Sequence, residues 1–334
     1  MLDAQPFVLP LAVPFRGLTH REGLLIEGPS GWGEFAPFVE YDDATAAVWL
    51  AGALEAAFGT WPTPLREAIP VNAIVPAVSP ELASDLVRQA VDRDGCSTIK
   101  VKVAQVGQTL DDDVARVGAV AACLRDAGVA QPRIRVDANA AWSVEQARVA
   151  IGELDLIANG LEFVEQPCAS LSELAQIRRL VHVPIAADES IRRADDPIKA
   201  AQAGAADIVV LKALPLGGVV RALEIAQVAG LDVVVSGSMD TAVGLASGLA
   251  LAAALPDLPY ACGLGTGALL AADVVATPLT PKSGELVVER LAPDPAFLQE
   301  AGSRMAPERR DWWHARLQRA LALLGPDSPG MMVR

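Results

Sequence analysis

The feature that most constrains this chain is a strand–helix alternation running through residues 71–264. Short apolar segments start near Val71, Thr98, Arg133, Leu161, Val183, Asp207, Asp232 and Tyr260, at spacings of 27, 35, 28, 22, 24, 25 and 28 residues. Each interval fits one strand plus a crossover helix, the connection that parallel strands require. Eight such units in succession predict a (β/α)8 barrel. A doubly wound open sheet would carry a glycine-rich phosphate turn after its first strand, and residues 71–80 have none. The intervals carry helix signals. Asp111, Asp112 and Asp113 suit the positive end of a helix over 110–127, and Ser143-Val-Glu-Gln146 reads as a capping box ahead of a helix over 147–157.

The flanks do not repeat. Strands are predicted over 6–13, 23–27 and 32–35, with a turn at Gly28-Pro29-Ser30-Gly31 and an Ala-rich helix over 43–58. This is a small α+β domain. Past the barrel, a strand-like stretch over 284–290 and a helix over 308–324 are expected to pack beside that domain. The predicted organisation is a cap in 1–70, a barrel in 71–266 and a C-terminal segment in 267–334 that joins the cap. Arg309, Arg310, Arg316 and Arg319 cluster on the last helix and read as a solvated face.

Composition narrows the partners. With 27 basic and 41 acidic residues, the net charge is −14. Such a chain is repelled by nucleic-acid phosphates and anionic lipid. The longest apolar run, near 245–255, is too short to span a bilayer. Four cysteines without a C-x-x-C pair, and an N-terminus without a basic stretch, predict a cytoplasmic protein with reduced thiols. A small molecule is the expected partner.

In a barrel of this kind the active site forms at the C-terminal strand ends. Strands three, four and five end in Asp137, Glu165 and Asp188. Three neighbouring carboxylates repel unless a cation neutralises them, and an all-oxygen donor set favours Mg²⁺, with Mn²⁺ as a substitute, over Zn²⁺. His20, His182 and His314 are too scattered for a zinc site. Lys100 and Lys102 lie two apart on strand two and face the same way. Lys212 ends strand six, across the barrel. A buried, desolvated lysine has a lowered pKa and suits a general base. Lys100 reads equally well as an ion-pair partner of the acids. Asn139 faces inward beside Asp137 and can orient a ligand, and Arg135 lies deeper on that face as a structural partner for the acids. Together these residues point to removal of a proton alpha to a metal-bound carboxylate.

The series K-V-K, D-A-N, E-Q-P, D-E-S and then a lysine on strand six resembles the enolase superfamily, in its muconate-lactonizing-enzyme-like branch. The first 70 residues are similar to that superfamily's capping domain. Thr19-His-Arg-Glu-Gly23 and Gly31-Trp-Gly-Glu-Phe-Ala-Pro37 further resemble the o-succinylbenzoate synthase family of menaquinone biosynthesis, in its shorter actinobacterial form. The resemblance implies a lyase that dehydrates 2-succinyl-6-hydroxy-2,4-cyclohexadiene-1-carboxylate. It makes Lys102 the base and Lys212 the cation over an enediolate-like intermediate, with Asp137, Glu165 and Asp188 holding Mg²⁺. It gives Ser236, Gly237, Ser238, Gly263 and Gly265 contact with the succinyl carboxylate, partly through backbone N–H groups; plain turn geometry is the other reading of those glycines. A loop carrying Thr19, His20 and Arg21 is expected to act as a lid or as a mobile linker. N-acylamino acid racemase, dipeptide epimerase and muconate cycloisomerase are the alternatives within the branch. The Cys262-Gly-Leu-Gly265 strand end lacks the acidic pair expected of the epimerases. A non-catalytic, metal-binding barrel is the alternative from another class, and inward lysines on both sides argue against it.

Overall fold

A computed structural model describes residues 2–15, 17–191 and 196–325 of the chain. Seven parallel strands form one curled sheet in simple order: β5 (Ala73–Val75), β6 (Thr98–Lys102), β7 (Arg133–Asp137), β8 (Val164–Glu165), β9 (Ile185–Ala187), β10 (Ile208–Leu211) and β11 (Asp232–Val235). The eighth predicted strand is reduced to two bridges, Val71 to Cys262 and Ser236 to Gly263, which join the two edges and close the barrel. A 3-10 turn over Gly265–Leu269, not an α-helix, follows it. Closure leaves no parallel edge open to a foreign strand.

Sequence signals account for the helices between the strands. Capping boxes start α3 (Leu110–Asp126), α4 (Val144–Ala158) and α5 (Leu171–Arg178) through Thr109, Ser143 and Ser170. Inside the barrel, Phe163, Ala186, Ile208, Val210 and Val234 form a core of their own. Arg135 stacks on Phe163 at 4.4 Å and pairs with Glu162 at 2.6 Å. It therefore braces the barrel floor; the partnership with the strand-end acids that the sequence suggested is not formed. The apolar run near 245–255 belongs to α8 (Ala242–Ala254), which is buried almost all round. Among the described residues, no helix is long and apolar enough to cross a membrane.

The cap is an antiparallel sheet of β1 (Asp3–Phe15), β2 (Leu18–Gly28) and β3 (Gly31–Phe35), covered by α1 (Asp43–Phe58). The C-terminal segment completes it. Helix α9 (Pro295–Ser303) lies on β1, α10 (Pro307–Leu323) lies on α1, and β12 (Glu285–Val287) pairs with β4 (Ala68–Pro70). The α10 arginines form a solvated face only in part: Arg310 and Arg319 are exposed, Arg309 is half-buried and Arg316 turns inward. Arg316 is buried and donates to the carbonyls of Phe38 and Tyr41 at 3.0 and 2.6 Å. Arg309 pairs with Glu22, and Arg319 reaches Asp43 at 2.8 Å. Of the four, only the Arg316 charge is buried in the cap.

Two cap carboxylates tie it to the barrel. Glu55 of α1 accepts the N–H groups of Val219 and Val220, the first turn of α7 (Val219–Ala229). That helix has only Gly218 at its N-cap, so it lacks a side chain of its own for the task. Glu34 of β3 accepts from the Thr241 N–H and hydroxyl at 2.9 and 2.6 Å, at the start of α8.

Close approach explains Gly33. A Cβ there would lie 1.9 Å from the Ala53 carbonyl oxygen of α1, so β3 and α1 touch backbone to backbone. Gly33→Ala is expected to cost about 1–3 kcal/mol or more by overpacking. Gly152→Ala, in α4 with open space around it, is expected to gain about 0.5–1 kcal/mol. Urea unfolding of both variants checks this, and equal midpoints would refute the packing argument.

Candidate active site

The strand ends and the cap enclose a cavity of about 330 Å³. Register sets its polar wall. Lys102 pairs across the ladder with Asp137, and Asp137 with Glu165, so neighbouring strands present these side chains in one row. Asp188 and Glu189 follow β9, and Lys212 follows β10. Ser236, Gly237, Ser238 and Met239 follow β11. All of these residues line the cavity, together with Lys100 and Asn139. Phe38, Tyr41, Thr45 and Trp49 of the cap close the other side.

Each lysine takes a carboxylate. Lys100 Nζ donates to both oxygens of Glu165 at 3.1 Å and lies 3.6 Å from Asp137. Lys102 Nζ donates to Asp137 and, at 2.9 Å, to the Asn139 carbonyl oxygen, whose amide in turn donates to Glu189 at 3.1 Å. Lys212 Nζ donates to Asp188. Geometry thus gives Lys100 the ion-pair reading and ties Asn139 to Lys102. The three carboxylates share the cavity, but they do not meet on one point. Among the described residues, no three acidic, His or Cys side chains are grouped to ligate an ion as they stand. Lys100 lies between Glu165 and Asp137, while Lys102 and Lys212 each hold one carboxylate.

Burial and charge separate the two lysines of β6. Burial opposes the Lys100 ammonium, yet Glu165, Asp137 and Asp188 outweigh it and hold its pKa above the usual lysine value. Burial lowers that of Lys102, with the Lys100 charge adding to the effect and Asp137 opposing it. Glu165 is pushed up to about 7 by burial, with Asp137 and Asp188 adding repulsion and Lys100 pulling it down. One strand thus carries a locked cation and an amine that gives up its proton more readily.

The backbone leaves the strands under strain. Ala104, Asn139, Ala140, Gln166 and Met239 all have φ between 40° and 65°, and all follow barrel strands on the cavity side. Such conformations cost a non-glycine residue about 1–3 kcal/mol and collect at functional sites. Gln166 shows why one is kept. Its side-chain oxygen accepts from Asp188 N–H at 2.8 Å and from the Ser190 N–H and hydroxyl, so it fixes the β9 exit.

Other expectations change. The amides of the β11 turn are already engaged: Gly237 N–H donates to the Gly263 carbonyl at 3.1 Å and Ser238 N–H to Asp240 at 2.7 Å. They are not open to a carboxylate, and the hydroxyls of Ser238 and Thr266 are what the wall offers. Gly263 and Gly265 do not line the cavity. Added Cβ atoms there would lie 2.7 Å from Ser236 Oγ and from the Asn72 carbonyl oxygen, so close packing explains both. Thr19, His20 and Arg21 form no loop; they lie in β2, paired with β1. Thr19 and His20 are exposed, whereas Arg21 is buried behind the cavity. The cap residues Phe38, Tyr41 and Trp49 went unread in the sequence. Their spacing, in a chain with only 4% aromatic residues, was the available signal.

Known proteins share this architecture. The Enolase C-terminal domain-like family matches residues 83–293, and the Enolase N-terminal domain-like family matches 7–57. An o-succinylbenzoate synthase of Mycobacterium ulcerans (strain Agy99) is 52% identical over 321 residues, covering 96% of this chain and 94% of its own. One from Thermobifida fusca (strain YX) is also 52% identical, covering 96% of each chain. The chain belongs to the o-succinylbenzoate synthase family of the enolase superfamily. The muconate lactonizing enzyme of Pseudomonas fluorescens, complexed with muconolactone, shares the fold with this synthase relative at TM-score 0.76 and 21% identity, over 90% of this chain and 98% of that one. The L-Ala-D/L-Glu epimerase of Bacillus subtilis does so at 0.75 and 20%, over 88% and 97%. Enzymes of this superfamily depend on a divalent metal ion. The donor set of this synthase-family chain fits one: three buried carboxylates, with Glu165 raised by burial and by the repulsion of Asp137 and Asp188, call for positive charge, and hard oxygen donors suit such an ion.

A second buried charge cluster in this synthase-family cap sits behind the site. Glu34 and Asp240 face Arg21 there, and Glu34 Oε1 and Asp240 Oδ1 have no hydrogen-bond partner among the described residues. Burial pushes Glu34 up from 4.5 to about 8, with Asp240 adding repulsion, while Arg21 and Thr241 pull the other way. A carboxyl with this raised folded pKa keeps its proton where the unfolded chain has lost it, so its contribution to stability falls as pH rises from 4.5 to 8. Glu34→Gln carries no titrating proton and can still accept from Thr241. The wild type should therefore lose stability relative to this variant across that window, by at most about 1.4 kcal/mol per pH unit. Urea unfolding of both proteins at the two ends checks it, and identical pH slopes would overturn the assignment.

Proposed function

We propose that this chain dehydrates 2-succinyl-6-hydroxy-2,4-cyclohexadiene-1-carboxylate to 2-succinylbenzoate with Mg²⁺, a step of menaquinone biosynthesis. The observation that carries this reading is the placement of Lys102 and Lys212 on β6 and beyond β10, on opposite sides of one cavity, with three carboxylates between them. The names of the curated relatives supply the substrate class. Asp137, Glu165 and Asp188 would hold the ion, which would supply positive charge to the substrate carboxylate.

The chain's own residues do the proton work. Lys102 Nζ, as the free amine, takes the proton alpha to the carboxylate, and the C–H electron pair enters an enediolate. Lys212 holds its ammonium against the ring on the other side and stabilises that charge. The C–O bond to the ring hydroxyl then breaks. The proton returns from Lys102 with the departing oxygen, one water leaves, and the ring becomes aromatic. Asn139 keeps Lys102 aimed, as it does in the resting site. Cys96, Cys123, Cys168 and Cys262 are free and buried, which supports a reducing cytoplasm as the compartment.

An ultraviolet assay with Mg²⁺, and with EDTA as control, is the direct test. Metal-dependent loss of the diene signal is expected. A folded, Mg²⁺-binding protein without turnover would move the substrate to the racemase or cycloisomerase chemistries. Lys102→Ala and Lys212→Ala should each lower kcat by about 10³-fold or more while the fold survives; near-wild-type rates in either would remove that lysine from its role. Asp188→Asn should weaken Mg²⁺ binding, and an unchanged titration would take Asp188 out of the ligand set.

A further inference from the structure

Segment 36–41 is the cap wall of the cavity, and two buried arginines grip it from behind. Arg316 holds the Phe38 and Tyr41 carbonyls. Arg21 has a wider reach. Its Nη2 donates to the Ala36 carbonyl, its Nε donates to the Met239 carbonyl at 3.3 Å, and its Cζ lies 4.5 Å from the Phe38 ring centroid. One guanidinium therefore touches a cavity wall residue of the cap, Phe38, and one of the barrel, Met239.

The Met239 end is the informative one. Met239 stands in the left-handed region at φ 60°, a conformation that a side-chain-bearing residue holds only when its surroundings impose it. It follows Ser236, Gly237 and Ser238, which line the cavity, and precedes Asp240, which accepts the Ser238 N–H. Releasing the Met239 carbonyl removes one restraint from the turn that carries those groups, beside the bonds of its Gly237 and Ser238 amides. The Arg21 charge faces the buried carboxyls of Glu34 and Asp240, but its directed hydrogen bonds go to carbonyls behind the cavity walls.

We propose that Arg21 is a positioning residue for substrate binding, locking Phe38 and the 236–239 turn into the shape that receives an organic carboxylate. This rests on reading the cavity as the site of the dehydration. Arg21 touches no reacting atom, so its loss acts on binding and spares the chemical step.

The test is a steady-state split combined with product binding. For Arg21→Met, KM for the diene should rise about tenfold or more with kcat within about threefold of wild type, and Kd for 2-succinylbenzoate should rise in parallel. A second arm uses Met239→Gly, because glycine adopts the left-handed backbone unaided. In that background Arg21→Met should raise KM by a clearly smaller factor than in the wild type. KM and Kd within about twofold of wild type, a loss confined to kcat, or purely additive effects would each overturn the proposal. Should Arg21→Met not fold, Arg21→Lys, which keeps the charge but not the reach to both carbonyls, is read the same way; if neither folds, Arg21 is a folding residue and the role falls. A wild type that neither turns over the diene nor binds 2-succinylbenzoate overturns the assigned reaction and this role with it. One that does both leaves only Arg21 in question.

Discussion

Three ammonium groups and four carboxylates share a cavity of about 330 Å³. Lys100, Lys102 and Lys212 against Asp137, Glu165, Asp188 and Glu189 leave a formal charge of −1. Groups brought this close out of water would rearrange or neutralise unless the backbone held them apart. Parallel strands do that: the ladder fixes Lys102 beside Asp137 and Asp137 beside Glu165. The left-handed exits after β6, β7, β8 and β11 follow from the same need, because the chain must turn sharply once the side chain has been delivered. An excess negative charge in a closed space is also what makes the site receptive to a cation.

The cap answers a second need, a lid over charges that work best away from water. Apolar clusters join it to the barrel, one through Leu214 and Met239 and one through Ala242 and Val243, and polar groups fix points within those contacts. Arg21 and Arg316 hold carbonyls on the wall segment, and Glu34 and Glu55 hold amides at barrel helix ends. In a chain with an excess of acids, several of its arginines are thus placed internally, where their fork of donors satisfies carbonyls that no secondary structure pairs.

Much of this was legible in the sequence. The starts of the barrel strands could be read because each is a short apolar run followed by a helical interval. Helix α1 was bounded at both ends by Asp42–Asp43 and Gly59. That Lys100, Lys102, Asp137, Glu165, Asp188 and Lys212 would share a cavity followed from alternation along strands and from the order of the strands. The parts that were not legible have no period. Glu34 meets Thr241 across 207 residues and Arg316 meets Phe38 across 278, and nothing local marks either partner. The β11 turn misled for a related reason: serines and glycines look like free amide donors until tertiary partners take their N–H groups. Arg316 looked as solvated as the other α10 arginines because helical spacing says nothing of a neighbour that arrives from the other end of the chain.

Glu55 carries one more implication. The amides of Val219 and Val220 find their acceptor in the cap, on a residue 164 and 165 positions away. Helix α7 is thus finished by a side chain that its own stretch of sequence does not encode. The two parts of this molecule are consequently not exchangeable modules. A barrel grafted onto another relative's cap inherits frayed helix ends unless that cap brings a carboxylate to the same place, so recombination between such enzymes has to move the acid along with the fold.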